Sequence, residues 1–144
     1  LSPSGHQPMH SHDGRWVLVF NGEIYNHRAL RAEVEEAGAA PQSGWRGHSD
    51  TETLLEAIAA WGLEEALKRS VGMFALALWD RRERRLHLAR DRFGEKPLYY
   101  GRAGRDLVFA SELKAIRRHP DFRGEIDRQA LTAYARTGVV AGAR

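Results

Sequence analysis

The sequence predicts one α+β domain in which helices cover antiparallel β-sheet. Two observations support this class. Segments of strand and helix character follow in the order strand, two helices, two hairpins and two helices, whereas a parallel sheet would need strands and helices to alternate throughout. The chain of 144 residues, with 42% hydrophobic and 28% charged residues, has the size and composition of one ordinary globular domain.

The first predicted strand is short. Residues 1–14 are rich in Pro, Gly, Ser and His without periodicity, and this pattern favours a loop. Residues 16–20 form an apolar run of β-branched and aromatic side chains, which is typical of a buried strand. Because Asn-Gly is a turn signal, the strand is expected to end at Asn21-Gly22.

Two helices are predicted next. Asn26 is placed to cap a helix that stops near Gly38. Residues 49–52 match the capping-box pattern, with Ser at the N-cap and Glu three positions later, so a second helix begins there and ends at Gly62. Residues 64–69 are expected to form a further short helical turn.

The second half is predicted to hold two hairpins. Residues 73–79 are apolar on both faces, which predicts a central strand, and the alternating run 86–89 is its hairpin partner. The basic run 81–85 lies between them and is interpreted as a solvated turn, not a nucleic-acid surface. A second pair, 98–100 and 107–110, is expected around residues 101–106.

Two helices complete the prediction, one starting at 111–113 and ending before Pro120, the other spanning 127–137. No apolar run approaches the roughly eighteen residues of a membrane span, so neither a membrane nor a nucleic acid is an expected partner, and the cytoplasm is the expected location. The absence of cysteine excludes disulfides and thiolate metal sites within this sequence.

Histidines near the start of the sequence raise the question of a metal site. His6, His10 and His12 lie in a Gly/Ser-rich segment without a spaced carboxylate or a helical i,i+4 pair. Surface or hydrogen-bonding histidines are therefore the preferred interpretation, and no metal ligand is predicted.

Six segments resemble, in order, the glutaminase domain of glutamine-hydrolysing asparagine synthetases. They are 5–9 (GHQPM), 19–27 (VFNGEIYNH), 48–52 (HSDTE), 72–75 (GMFA), 89–100 (ARDRFGEKPLYY) and 110–115 (ASELKA). Each segment alone is weak, but their order and spacing together are specific. The likeness extends from residue 1 to about residue 138, with His48 replacing the glycine of the family's motif.

The resemblance implies the N-terminal-nucleophile hydrolase fold, an αββα sandwich of two antiparallel sheets between helical layers. In that family an N-terminal cysteine attacks the side-chain amide of glutamine and ammonia is released. A C-terminal synthetase domain uses ATP and Mg²⁺ to activate aspartate, which the ammonia converts to asparagine. The implied partners are glutamine, the synthetase domain of the same polypeptide and, as an open alternative, a second copy in a homodimer.

The resemblance also assigns the glutamine site. The side-chain NH₂ of Asn21 and the backbone N–H of Gly22 would form the oxyanion hole. Asp50 would bind the α-ammonium group, and Glu23 is the family's third contact. The structural alternatives are a tight turn at Asn21-Gly22 and a helix-start carboxylate at Asp50, and the second is compatible with binding.

The segment 89–100 has no clear chemical role. Its charges alternate in sign, which is typical of a solvated ion-pair loop. By resemblance it supports the active-site side of the domain and its contact with the synthetase domain, and is interpreted as an interface element.

Residues 1–144 are expected to be a partial amidotransferase domain. The nucleophilic cysteine, an Arg-Gly-Pro segment that holds the glutamine carboxylate and the synthetase domain are not in this sequence, so no cofactor is expected here and this chain alone should be inactive. Two alternatives stay open: a degenerate, non-catalytic binding module, and an amidotransferase that uses a different carboxylate acceptor.

Overall fold

A computed structural model describes residues 5–138, in two compact units. The first unit ends at Tyr99 and the second begins at Tyr100. The predicted loop at residues 1–4 lies outside the described part. The elements are β1 (Met9–His10), β2 (Trp16–Ile24), α1 (His27–Glu36), α2 (Asp50–Trp61), α3 (Leu63–Arg69), β3 (Gly72–Asp80), β4 (Arg85–Arg90), β5 (Tyr99–Ala103), β6 (Asp106–Ala110), α4 (Leu113–Ile116) and α5 (Arg128–Thr137).

The first unit is built on an antiparallel sheet in the order β1-β2-β3-β4. Strands β2 and β3 pair along their whole length, from Trp16↔Asp80 to Ile24↔Gly72. Strand β3 is central and its middle is buried on both faces, as its uniformly apolar sequence predicts. With the second sheet, β5-β6, this confirms the antiparallel α+β class.

The core lies between one face of this sheet and helices α1 and α2. Alternate residues of β2 point into it, because side chains along a strand alternate between faces. The core contains the strand residues Leu18, Phe20, Ile24, Phe74, Leu76 and Leu78 and the helix residues Leu30, Val34, Leu54, Leu55 and Ile58. The apolar stripes of α1 and α2 thus face the core, as their helical spacing predicts.

The predicted turn at Asn21-Gly22 is wrong. Both residues continue β2, where they pair with Ala75 and Phe74. Asn-Gly favours a tight turn only when no second strand binds the extended chain, and here all nine positions of β3 do so. The predicted loop 1–14 also contains a short strand, because Met9 pairs with Leu18 and is buried.

The helix starts agree only partly with the caps predicted for them. The Ser49 hydroxyl accepts the N–H of Glu52 at 3.1 Å, which confirms the N-cap of α2. Asn26 precedes α1 but does not cap it with its side chain. Instead it donates to the carbonyl of Arg69 at 2.9 Å and accepts the N–H of Val71 at 2.8 Å. It therefore joins the start of α1 to the connection between α3 and β3.

The basic run forms the β3–β4 turn, as expected. Asp80, at the end of β3, accepts the backbone N–H groups of Arg82 and Glu83 at 2.9 and 3.1 Å. Arg15 also binds it, with 2.6 Å between Nη2 and Oδ2. The hydrogen bond from Arg15 is the main reason that the pKa of Asp80 lies well below its ordinary value.

In the second unit, β5 and β6 form a hairpin that is tighter than predicted. Strand β5 runs on to Ala103, so the connection is Gly104-Arg105, with Gly104 at φ 61°. Helix α4 is only one turn, whereas α5 is confirmed, with Asp127 accepting the N–H of Gln129 at 2.8 Å. No helix within residues 5–138 has the length and apolar character needed to cross a membrane.

Candidate functional site

The sequence-predicted site residues lie in the first unit, along or beside one edge of β2. Pairing with β1 reaches only as far as Leu18. Beyond it, the side chain of Gln7 binds both backbone groups of Phe20: the Phe20 N–H donates to Oε1 at 2.7 Å and Nε2 donates to the Phe20 carbonyl at 3.0 Å. At the end of the strand, the N–H of Ile24 donates to Asp50 Oδ2 at 2.8 Å.

Gly22 lies between these two attachments, and its N–H points to the same edge. Its partner Phe74 directs its own backbone groups away from β2: its N–H donates to Asp91 Oδ2 at 3.2 Å and its carbonyl accepts the Asp91 N–H at 2.8 Å. Gly22 and Phe74 are therefore a non-hydrogen-bonded antiparallel pair. In such a pair the backbone groups of both residues face outward, so the Gly22 N–H faces the edge that Gln7 and Asp50 flank.

Only glycine fits at this position. A Cβ on Gly22 would lie 2.2 Å from the Met73 carbonyl oxygen and 2.6 Å from the Phe74 Cα. The strands show the same close approach at Gly72, where a Cβ would lie 2.1 Å from the Glu23 carbonyl oxygen. Two glycines thus allow β2 and β3 to approach closely where the candidate donor lies.

The side chains of Asn21 and Glu23 lie on the exposed face of the sheet, because they alternate with the core residues Phe20 and Ile24. Asn21 therefore offers its amide on that face while Gly22 offers its N–H at the edge. The two candidate donors thus come from consecutive residues of β2. Glu23 is the next residue of β2 and precedes Ile24, whose N–H binds Asp50.

Asp50 joins the start of α2 to the end of β2. Besides the bond from Ile24, its Oδ1 accepts the N–H of Thr51 at 2.8 Å. The half-buried carboxylate is thus a helix-start anchor, as one sequence interpretation proposed. Oδ1 also accepts the Thr51 hydroxyl at 3.4 Å, so the second lone pair of Oδ2 supplies the acceptor capacity for a cationic group at the edge.

A second acidic residue, which is not among the site residues predicted from the sequence, fixes the loop before α2. Glu52 is 2% exposed and accepts the backbone N–H groups of Arg46 at 2.7 Å and Gly47 at 2.9 Å. It also lies 3.3 Å from His12 Nε2. The capping-box glutamate thus reaches the preceding loop and not the Ser49 N–H. Its position three residues after Ser49 was the available signal.

His12 is a hydrogen-bonding histidine, as the sequence favoured. Its Nδ1 lies 2.9 Å from the hydroxyl of Ser43, and its ring joins Glu52 to Ser43. Within residues 5–138, no group of three or more His, Cys, Asp or Glu side chains has a geometry suited to a metal ion.

The loop after β4 is organised by a buried carboxylate, so the solvated ion-pair interpretation of 89–100 is wrong for Asp91. Asp91 is 7% exposed. Four backbone N–H groups donate to it, those of Phe74, Phe93, Glu95 and Lys96. Burial alone would raise the pKa of Asp91, but these hydrogen bonds hold the pKa at about 2.

The chain is similar to several known proteins. Residues 1–144 match the family described as the glutamine amidotransferase domain. Two Bacillus subtilis proteins, glutamine-hydrolysing asparagine synthetases 3 and 1, are 38% and 40% identical to 89% and 91% of the chain. The amidase chry2 of Gibberella zeae is 36% identical over 81% of the chain.

A solved structure confirms the fold. The glutamine phosphoribosylpyrophosphate amidotransferase of Bacillus subtilis, complexed with ADP and GMP, matches 77% of the chain and 25% of its own, with a TM-score of 0.64 and 27% identity. The chain spans about one fifth of the length of the two asparagine synthetases. The comparison therefore concerns one region of those larger proteins.

Proposed function

Because the chain belongs to the glutamine amidotransferase domain family, we propose that the rim of β2 binds glutamine and stabilises the oxyanion formed when its side-chain amide is attacked. The chain is a glutamine amidotransferase domain that matches glutamine-hydrolysing asparagine synthetases. The proposal concerns which of its residues carry out which step.

The observation that supports it most directly is the direction of the Gly22 N–H. It faces an edge that β1 leaves uncovered and that Gln7 and Asp50 flank. The donor belongs to a strand that is paired with β3 along its whole length, so it does not need to reorganise when negative charge develops. An oxyanion hole requires this property. The adjacent amide of Asn21 supplies the second donor.

Recognition of glutamine needs a partner for its α-ammonium group, and we assign this role to Asp50. Its carboxylate is held by Ile24 and Thr51, at the same end of β2 as the proposed oxyanion hole. The start of α2 is also a favourable place for a negatively charged side chain, because the positive end of the helix dipole lies there. Glu23 lies between the two sub-sites and is proposed as a further contact to the amino-acid end.

In the whole protein we propose that a cysteine thiol outside these residues attacks glutamine, since the sequence contains no cysteine. The ammonia would then amidate aspartate in a synthetase domain that uses ATP and Mg²⁺, in the cytoplasm. We assign no cofactor to the rim of β2. The segment 89–100 is proposed to contact that synthetase domain.

The acceptor of the ammonia is a separate question, because the relatives do not share one name. Proteins called amidases match 81% of the chain at 36% identity, alongside the asparagine synthetases. A carboxylate other than aspartate is therefore the second candidate acceptor. The identity of the acceptor does not affect the proposed glutamine site.

The test is a titration with glutamine monitored by ¹H–¹⁵N NMR of the 144-residue chain. We expect the amide signals of Gly22 and Ile24 to move with glutamine. With alanine, which keeps the α-ammonium group but has no side-chain carbonyl, only the Ile24 signal should move. Asp50→Asn keeps an acceptor for the Ile24 N–H and removes the charge, so it should weaken binding about tenfold. Glu36→Gln, an exposed charge change on α1, is the matched control.

A glutamine analogue without the α-amino group separates the two sub-sites. Its affinity should be the same in the unsubstituted chain and in Asp50→Asn, because the group that Asp50 recognises is absent. Signals that stay fixed at Gly22 up to tens of millimolar glutamine would refute the proposed site. An equal effect of Asp50→Asn on glutamine and on the analogue would refute the role of Asp50.

A further inference from the structure

The side chain of Gln7 takes the place of a strand backbone beside β2. Its amide accepts from the Phe20 N–H at 2.7 Å and donates to the Phe20 carbonyl at 3.0 Å. We propose that Gln7 is a positioning residue that fixes the direction of the Gly22 N–H. This inference deepens the proposed function and rests on it for the role of Gly22.

The position needs such a support, because β1 is too short to provide it. Met9 pairs with Leu18, and the chain before it does not continue as a strand. The backbone groups of Phe20 would otherwise face this edge without a partner from β1. A primary amide carries one acceptor and one donor in a plane, so it reproduces the two hydrogen bonds that a neighbouring strand would make.

Gly22 also has more need of external support than other residues. Without a Cβ it has access to a wider range of backbone angles, so the direction of its N–H is not fixed by its own sterics. Gln7 holds the residue two positions before it, and Asp50 holds the residue two positions after it. The Gly22 N–H shares its peptide plane with the Asn21 carbonyl, which faces β3. The pairing of Asn21 with Ala75 and the attachments at Phe20 and Ile24 therefore act together to hold the direction of the Gly22 N–H.

Both attachments act on the same strand edge and involve side chains from distant segments. Asp50 is already assigned a direct contact with glutamine. Gln7 is different, since both of its described hydrogen bonds go to Phe20, and its effect on Gly22 passes through the backbone of β2. It is therefore expected to set the orientation of a donor without binding the substrate.

The decisive variant is Gln7→Glu, because its hydrogen bonding depends on pH. An ionised Glu can only accept, so it would place an oxygen against the Phe20 carbonyl and lose that bond. A protonated Glu has the same donor and acceptor pattern as the amide. The usual Glu pKa of about 4.3 should rise here, since the facing carbonyl favours the protonated form.

The measurements are made without glutamine. At pH 7 the loss of the hydrogen bond to the Phe20 carbonyl in Gln7→Glu should move the carbonyl ¹³C signal of Phe20 and the Gly22 amide signal from their positions in the unsubstituted chain. Near pH 4 both should return to the values of the unsubstituted chain at that pH. Gln7→Met, similar in size but without polar atoms, should show the loss at both pH values.

A Gly22 amide signal that does not move in either variant overturns the proposal. So does a Gly22 shift in Gln7→Glu that has the same size at pH 7 and at pH 4. If Gln7→Glu does not fold at pH 7, folding with a Gly22 signal at its usual position near pH 4 supports the proposal. A folded Gln7→Met with an unmoved Gly22 signal still overturns it. Failure of the proposed function appears separately, as no response of the unsubstituted chain to glutamine.

Discussion

Asp91 and Phe74 are joined by two hydrogen bonds, with the Phe74 N–H donating to the Asp91 carboxylate at 3.2 Å and the Asp91 N–H donating to the Phe74 carbonyl at 2.8 Å. Phe74 is also the partner of Gly22 across β2 and β3. The loop after β4 is thus connected, through one residue, to the strand that carries the candidate oxyanion donor.

Replacing Asp91 should destabilise the first unit. Asp91→Asn turns an acceptor of four backbone N–H groups into a side chain with an NH₂ facing some of them. We expect the thermal unfolding midpoint to fall on the order of 5 °C, measured by circular dichroism. Glu36→Gln, which removes an exposed charge, should leave it nearly unchanged. Equal midpoints for the two variants would contradict this role.

The contribution of Asp91 should also depend on pH. Its folded-state pKa of about 2 lies below the ordinary value for an aspartate. Because the folded pKa is lowered, the stabilisation is fully present above about pH 4 and is lost as the pH falls toward 2. The stability difference between the unsubstituted chain and Asp91→Asn, measured by urea denaturation, should therefore shrink over that interval. A difference that stays constant from pH 6 to pH 2 is the opposing result.

Gly22→Ala should weaken the pairing of β2 with β3. The new Cβ would lie 2.2 Å from the Met73 carbonyl oxygen, so the strands must separate. We expect a loss of about 1–3 kcal/mol in the free energy of unfolding. Gly101→Ala is the matched control, since a Cβ there meets nothing within 4 Å, and it should change stability by less than about 0.5 kcal/mol. Similar losses in the two variants would argue against the close approach.

The 144-residue chain should not release ammonia from glutamine. It contains the proposed oxyanion donors but no cysteine, and donors alone stabilise an attack that they cannot begin. A coupled assay with glutamate dehydrogenase measures the ammonia, with buffer and heat-denatured chain as blanks. Release above both blanks would show that another residue acts as the nucleophile.

The isolated chain should self-associate as its concentration rises. Val19 and Trp79 are 44% and 37% exposed on the sheet face opposite the helices, and Phe93 is 89% exposed in the loop after β4. Exposed apolar surface of this kind favours association. Sedimentation velocity should show species larger than the 16.3 kDa monomer, fewer of them in Phe93→Ser. A single monomeric species would contradict the expectation.

The regular elements were predictable from the sequence because their signals are local. The apolar stripe of α2, the Ser49 cap and the uniformly apolar β3 each specify one element from adjacent residues. The family was also predictable, since its segments occur in order. The resemblance assigned Asn21, Gly22, Glu23 and Asp50 to one site, and in the structure Asp50 binds the end of the strand that carries the other three.

The tertiary roles of polar side chains were not predictable in the same way. Asn26, Glu52 and Asp91 each match a local rule, as a cap, a capping-box residue and a surface charge. Each instead binds backbone groups of another segment. Asn21-Gly22 fits a turn by local preference, but the long pairing of β2 with β3 outweighs it. These outcomes depend on which segments meet, and no local pattern encodes that.

The attachments of the β2 rim also determine when it can form during synthesis. Gln7 lies 13 residues from Phe20, Ile24 lies 26 residues from Asp50, and Phe74 lies 17 residues from Asp91. Strand β2 leaves the ribosome well before β3. The edge of β2 that will pair with β3 therefore stays unpaired while α1, α2 and α3 are made. The rim is complete only after the loop at Asp91 has emerged. We therefore expect the proposed glutamine site to form only after the first unit has folded.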